Sequence, residues 1–168
     1  MSHIAKTAPV RKEAPELTGQ EYVETVVDLL SEPGRILIVD DEPFNVSGIK
    51  VMIQCLTAGI EHFKLKEHVE SAFNGKQAVE LVKKNFNEGK YFRLILMDCN
   101  MPVTDGYQAT VEIRQFLKNS EQPAIVALTG HSEHRYIQRA LDSGMDSVLN
   151  KPAKLQDVEE VLKKYYFD

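Results

Sequence analysis

Four short apolar runs, each leading into a stretch with helical periodicity, limit what this chain can fold into. The runs are RILIVDD (Arg35 to Asp41), LILMD (Leu94 to Asp98), AIVALTG (Ala124 to Gly130) and SVLNKP (Ser147 to Pro152). Strands that read as continuous apolar runs, without polar alternation, are buried on both faces, as in parallel sheets. Between them lie helical patterns over Pro43 to Leu56, Lys76 to Phe86, Tyr107 to Lys118, Glu133 to Ser143 and Leu155 to Tyr166. Pro43 suits the opening turn of the first. A fifth, less distinct strand falls near His68 to Ala72, and Thr57 to Lys66 shows no clear period. Strict alternation of strand and helix predicts an α/β fold: a doubly wound parallel sheet with right-handed crossovers and helices on both faces.

A chain of 168 residues holds one ordinary domain and a short appendage. Residues 1–16 mix Ala, Pro, Lys, Glu and Ser without apolar period and read as a flexible lead. Residues 17–33 read as an amphipathic helix and linker. Thr18 and Glu21 have capping-box spacing, and Tyr22, Val23, Val26, Val27, Leu29 and Leu30 recur at helical intervals. Three uses of that stripe stay open: packing on the main domain, pairing with a second copy, or continuing a longer helix. The main domain is expected over residues 34–168.

The net charge of -5 argues against nucleic acid as a partner, which needs a concentrated basic face. Cys55 and Cys99 have no paired metal spacing and cannot form a disulfide framework, which fits a reducing cytoplasmic setting. No run approaches the roughly 18 apolar residues of a membrane span, and MSHIAKTAPV lacks the apolar core of a secretory signal. The expectation is a soluble cytoplasmic protein without membrane contact.

In a doubly wound sheet, residues just past the strand C-termini share one edge, where such folds bind ligands. Here that edge collects Asp40 and Asp41 after the first run, Asp98 after LILM, Thr129 after the fourth strand and Lys151 after the fifth. Two like charges 4 Å apart repel by about 4 kcal/mol at an effective dielectric of 20, so positive charge must sit among the acids. Lys151 supplies one part. Hard oxygen donors with water suit Mg²⁺ for the other. With its charge screened, the Asp98 carboxylate is a competent nucleophile toward phosphorus, and Thr129 can donate a hydrogen bond to a phosphoryl oxygen. Phosphoryl transfer needs in-line positioning and charge stabilisation, which this set can give. The site reads as a phosphoryl acceptor.

The set ILIVDDEPFN, LILMDCNMPVTDG, ALTG and NKPA, in this order and at these separations, resembles the receiver domain of two-component response regulators and hybrid histidine kinases. The resemblance spans Arg35 to about Tyr166. It implies a flavodoxin-like five-stranded sheet of order 2-1-3-4-5. It implies that Asp98 takes a phosphoryl group from a phosphohistidine donor, with Mg²⁺ (or Mn²⁺) held by Asp41, Asp98 and the main-chain carbonyl of Asn100, and Asp40 acting mainly through water. It further implies that Lys151 contacts the phosphoryl group and precedes a cis peptide to Pro152, and that Thr129 shifts toward the phosphoryl oxygen.

Such a domain catalyses only its own phosphoryl acceptance and hydrolysis. The style of MDCNMPVTDGYQAT resembles receivers of hybrid kinases, which implies a histidine kinase and a histidine phosphotransfer protein as partners. Dimerisation is expected through the N-terminal helix or the face of the fourth helix and fifth strand. Val148 replaces the frequent aromatic three residues before the lysine, and Gly130 replaces a frequent Ala. Asn100 and His131 hold the positions that tune phosphoryl lifetime in the family, and His131 is expected to shield the phosphoryl group or steer water.

Two other functions compete. A Mg²⁺-dependent phosphatase with an aspartyl nucleophile needs an Asp-x-Asp pair and a cap, whereas Asp98 is followed by Cys99 and Asn100. A receiver-like docking module that no longer accepts phosphate would not need the acid, hydroxyl and lysine together. Asp105 reads as the cap of the helix that begins at Gly106. His3, His62, His68 and His134 read as surface or locally bonded residues, and Cys99 as a small buried apolar residue.

Overall fold

A computed structural model of the chain describes residues 36–118 and 122–167. Its core is one five-stranded sheet of β1 (Ile36–Val39), β2 (Val69–Ala72), β3 (Leu94–Asp98), β4 (Ala124–Thr129) and β5 (Ser147–Asn150), all parallel and ordered β2-β1-β3-β4-β5. This is the expected flavodoxin-like topology. The helices are α1 (Pro43–Leu56), the short α2 (Leu65–His68), α3 (Gly75–Asn87), α4 (Gly106–Phe116), α5 (His134–Asp142) and α6 (Leu155–Leu162), the last running into a π-helical turn over Lys163–Phe167. The expected 17–33 helix lies outside the described residues.

Successive side chains of a strand point to opposite faces, and the two faces bury different helices. Leu37, Val39, Ile95, Met97, Ile125 and Ala127 pack on one side against α3, α4 and Ala140 of α5. Ile36, Ile38, Leu94, Leu96, Val126 and Leu128 pack on the other against Val46, Ile49 and Ile53 of α1 and Val158 and Leu162 of α6. Burial on both faces is the physical reason the strands read as unbroken apolar runs.

Helix boundaries agree with the sequence expectation to within two residues, α6 with its π-helical turn counted as one helix. The largest difference is at the end of α4, where no propensity signal marks a stop and Leu117 is a C-cap in extended conformation. The unassigned segment before the second strand is turns followed by α2. His68 departs from the surface reading. It is buried with its ring stacked on Phe63 at 4.8 Å, which leaves the locally bonded half of the reading standing.

The register fixes the functional edge. Val39 pairs with Met97 and Asp98 with Leu128, so Asp40 follows its strand directly beside the end of β3.

Candidate functional site

Asp40 leaves β1 as a fully buried carboxylate. Its backbone N–H still bonds the carbonyl of Ala72 at 3.2 Å, so the residue is held as though the strand continued. An unpaired carboxylate there would be untenable, and four hydrogen bonds meet its two oxygens. Oδ1 accepts from the Glu42 backbone N–H at 2.9 Å and from Asn45 Nδ2 at 3.1 Å. Oδ2 accepts from the same Asn45 nitrogen at 3.2 Å and from Lys151 Nζ at 2.7 Å.

Lys151 also reaches Oδ1 of Asp98 at 3.1 Å, so one ammonium bridges the two buried acids. Asp98 is 3% exposed, and its Oδ1 accepts the Asn100 backbone N–H at 3.2 Å. Burial pushes the Asp98 carboxyl above the ordinary aspartate value, and the nearby Lys151 charge offsets only part of that. Burial pulls the Lys151 ammonium down, but its bonds to Asp40 and Asp98 outweigh that and hold it above the ordinary lysine value. Lys151 therefore keeps its charge at neutral pH.

Oxygens of Asp40, Asp41 and Asp98 lie within 4.8 Å of one another. Three carboxylates against one ammonium leave an excess of negative charge, and hard oxygen donors at this spacing suit Mg²⁺. The residues present thus fit the divalent cation that the sequence implies.

Thr129 ends β4, one residue past the partner of Asp98, and its buried Oγ1 accepts the His131 backbone N–H at 3.1 Å. Its carbonyl accepts the Lys151 N–H at 2.7 Å, which ties the hydroxyl loop to the lysine loop. The Lys151–Pro152 peptide is cis. His131 stacks on Tyr136 at 4.3 Å between ring centroids, with Nδ1 3.7 Å from Glu133. Val148 is half-buried against the apolar cluster beneath α3 to α5. Asp105 caps α4 by accepting the Gln108 N–H at 2.8 Å, as its position suggests.

Two further relationships were not evident from the sequence. Asn45 was part of the ILIVDDEPFN string but carried no separate signal, since an Asn in a first helical turn is ordinary. Tyr107 is buried with its hydroxyl toward Cys99, and the Arg139 guanidinium lies 3.9 Å above its ring. Burial pushes the Cys99 thiol up to about 11 and the Tyr107 phenol up to about 12, so neither titrates near neutrality. Among the described residues, no helix is long and apolar enough to cross a membrane.

A family model for the response regulator receiver domain matches residues 36–163. The osmosensing histidine protein kinase SLN1 of Saccharomyces cerevisiae is 31% identical over 159 residues, which cover 95% of this chain and 12% of SLN1. The chain therefore corresponds to a small part of that relative. Among solved structures, the receiver domain of sensor histidine kinase PA1611 from Pseudomonas aeruginosa, with magnesium coordinated in its active site cleft, aligns with a TM-score of 0.62 and 32% identity, covering 77% of this chain and 94% of that one. The receiver domain of Ssk1 in complex with the Saccharomyces cerevisiae histidine phosphotransfer protein Ypd1 aligns with a TM-score of 0.60 and 28% identity, over 80% of this chain and 90% of the other.

Proposed function

This chain belongs to the response regulator receiver domain family, and we propose that its Asp98 accepts a phosphoryl group from a phosphohistidine donor. The observation that carries this reading is Lys151 bridging Asp40 and Asp98 within a cluster of three acids at the sheet edge. An Asp98 oxygen forms the new bond to phosphorus while the phosphorus–nitrogen bond of the donor breaks, and the electron pair leaves with the imidazole. Lys151 neutralises a phosphoryl oxygen, and Thr129 donates its hydroxyl to another. Asp41, Asp98 and the Asn100 main-chain carbonyl would hold Mg²⁺ (Mn²⁺ as a substitute), with Asp40 acting through water. The bound ion supplies charge neutralisation at the phosphoryl oxygens.

Asn100 stands where an Asp-x-Asp phosphatase would carry its second acid, so a turnover enzyme is disfavoured. The domain acts on itself alone. His131, held over Tyr136, influences hydrolysis by shielding the phosphoryl group or steering water. The partners are a histidine kinase and a histidine phosphotransfer protein, as the second kind is for Ssk1. Phosphorylation works by favouring one of two pre-existing states of the Thr129 loop and the α5–β5 face. The receiver unit runs from about residue 34 to 168.

The test is incubation with Mg²⁺ and acetyl phosphate, followed by intact mass of wild type and Asp98→Asn. The expected result is one base-labile phosphoryl group on the wild type and none on the variant. Equal labelling of both would move the acceptor elsewhere.

A further inference from the structure

Four hydrogen bonds hold the Asp40 carboxylate in place. Donors reach it from three separate places: the Glu42 backbone, the Asn45 side chain on the first turn of α1, and Lys151 beyond β5. The Asn45 nitrogen is nearly equidistant from both oxygens, 3.1 and 3.2 Å. It therefore sits near the carboxylate bisector and fixes where the group points, while the Glu42 N–H and Lys151 fix its rotation. The reverse orientation of the amide would set oxygen against oxygen.

The first turn of α1 carries no acid, although the helix dipole favours one there. At position 45 an acid would face Asp40, Asp41 and Asp98, whereas the amide adds a donor and no charge. Removing that donor leaves Asp40 with the Glu42 N–H and the Lys151 ammonium alone. Asp40 would then draw Lys151 toward itself, at the expense of its 3.1 Å contact with Asp98.

We infer that Asn45 is a positioning residue: by sharing the charge of Asp40, it keeps Lys151 extended over Asp98, where the phosphoryl group arrives. The inference rests on the acceptor reading of Asp98 and adds what sets the lysine. Outer partners that orient a charged site commonly affect its activity by about 10- to 100-fold.

The experiment compares wild type, Asn45→Ala and the near-isosteric Asn45→Asp at saturating Mg²⁺. Acetyl phosphate labelling rate, Mg²⁺ affinity and folded fraction are measured for each, and crystal structures of wild type and Asn45→Ala are solved without phosphodonor. Expected are a labelling rate about tenfold lower in both variants, Mg²⁺ affinity equal to or tighter than wild type because Asp40 is freed, and Lys151 Nζ displaced from Asp98 toward Asp40. Labelling within twofold of wild type in both variants overturns the inference. So does a loss of rate seen only below saturating Mg²⁺, since Asn45 would then act through the ion. A wild type that takes no phosphoryl group from acetyl phosphate or from a phosphohistidine donor defeats the acceptor reading instead. In that case the position of Lys151 decides: an Nζ unmoved in Asn45→Ala refutes positioning, and a displaced one supports it.

Discussion

Lys151 Nζ stands 2.7 Å from Oδ2 of Asp40, a carboxylate with no solvent exposure, at the C-terminal edge of the parallel sheet. Removing one partner of a buried ion pair costs about 3–5 kcal/mol, because the other is left uncompensated. Here Lys151 is 25% exposed and Asp40 keeps other donors, so Lys151→Met should cost about 2 kcal/mol, below that range. Millimolar Mg²⁺ should restore part of it by supplying the missing positive charge. Urea denaturation with and without Mg²⁺ checks both. Lys90→Met, which breaks an exposed pair with Glu88, is the control and should leave the midpoint unchanged.

Asp98 gives a pH signature of definite sign. Its carboxyl is raised in the folded protein, chiefly by burial, so the folded state holds the proton more tightly than the unfolded chain. Stability from this group is greatest at acid pH and falls as pH rises from the ordinary aspartate range through the raised value. Asp98→Asn removes the penalty, so the variant should melt higher than wild type at pH 7 without metal, and the gap should close toward pH 4. Mg²⁺ should also narrow it by binding wild type alone with full affinity. A gap that widens on acidification would contradict the sign.

How much of this was legible in the sequence depends on which force sets each feature. The parallel sheet followed from strands buried on both faces, its strand order came only with the family resemblance, and the acids, Thr129 and Lys151 could be placed because strand ends share an edge. What stayed hidden depends on side-chain direction across elements. Asn45 meets Asp40 only because helix α1 starts immediately after β1, and Arg139 meets Tyr107 across two helices. Surface or local bonding could not be decided for His68 because α2, a four-residue helix, gives too little periodicity to say which way a ring points.

Gly106 is a residue whose necessity only the packing reveals. A Cβ there would collide with the carbonyl oxygen of Asp98 and come within 3.0 Å of Met97 Cγ. The obstacle is the backbone of the proposed acceptor itself, which cannot rotate away. Gly106→Ala should cost about 3 kcal/mol, the upper end for overpacking, and should slow Asp98 labelling even in the fraction that folds. Gly130 has no atom within 4 Å of such a Cβ and no positive φ. Gly130→Ala should therefore be neutral or slightly stabilising, by restricting the unfolded chain. Thermal melts of the two variants side by side test the contrast, and equal effects would refute it.

Val103 carries the remaining tension of the loop after Asp98. Its φ is 73°, and the Thr104 N–H bonds the Pro102 carbonyl at 2.9 Å, which makes a γ-turn with a positive central φ, the rarer and more strained form. A β-branched residue there is a true outlier. The conformation is held from both sides, by the Gly75 N–H on the Thr104 carbonyl at 3.0 Å and the Gly106 N–H on the Cys99 carbonyl at 3.2 Å. The side chain is 82% exposed, so its removal forfeits little packing. Strain of this kind costs on the order of 1–3 kcal/mol, against roughly 0.5–1 kcal/mol for the added freedom of glycine. Val103→Gly should thus raise stability by about 1 kcal/mol, while Val103→Ala, still an L-residue at the same φ, should gain less. Chemical denaturation of the three proteins orders them, and a glycine variant less stable than wild type would show that the loop holds Val103 without strain.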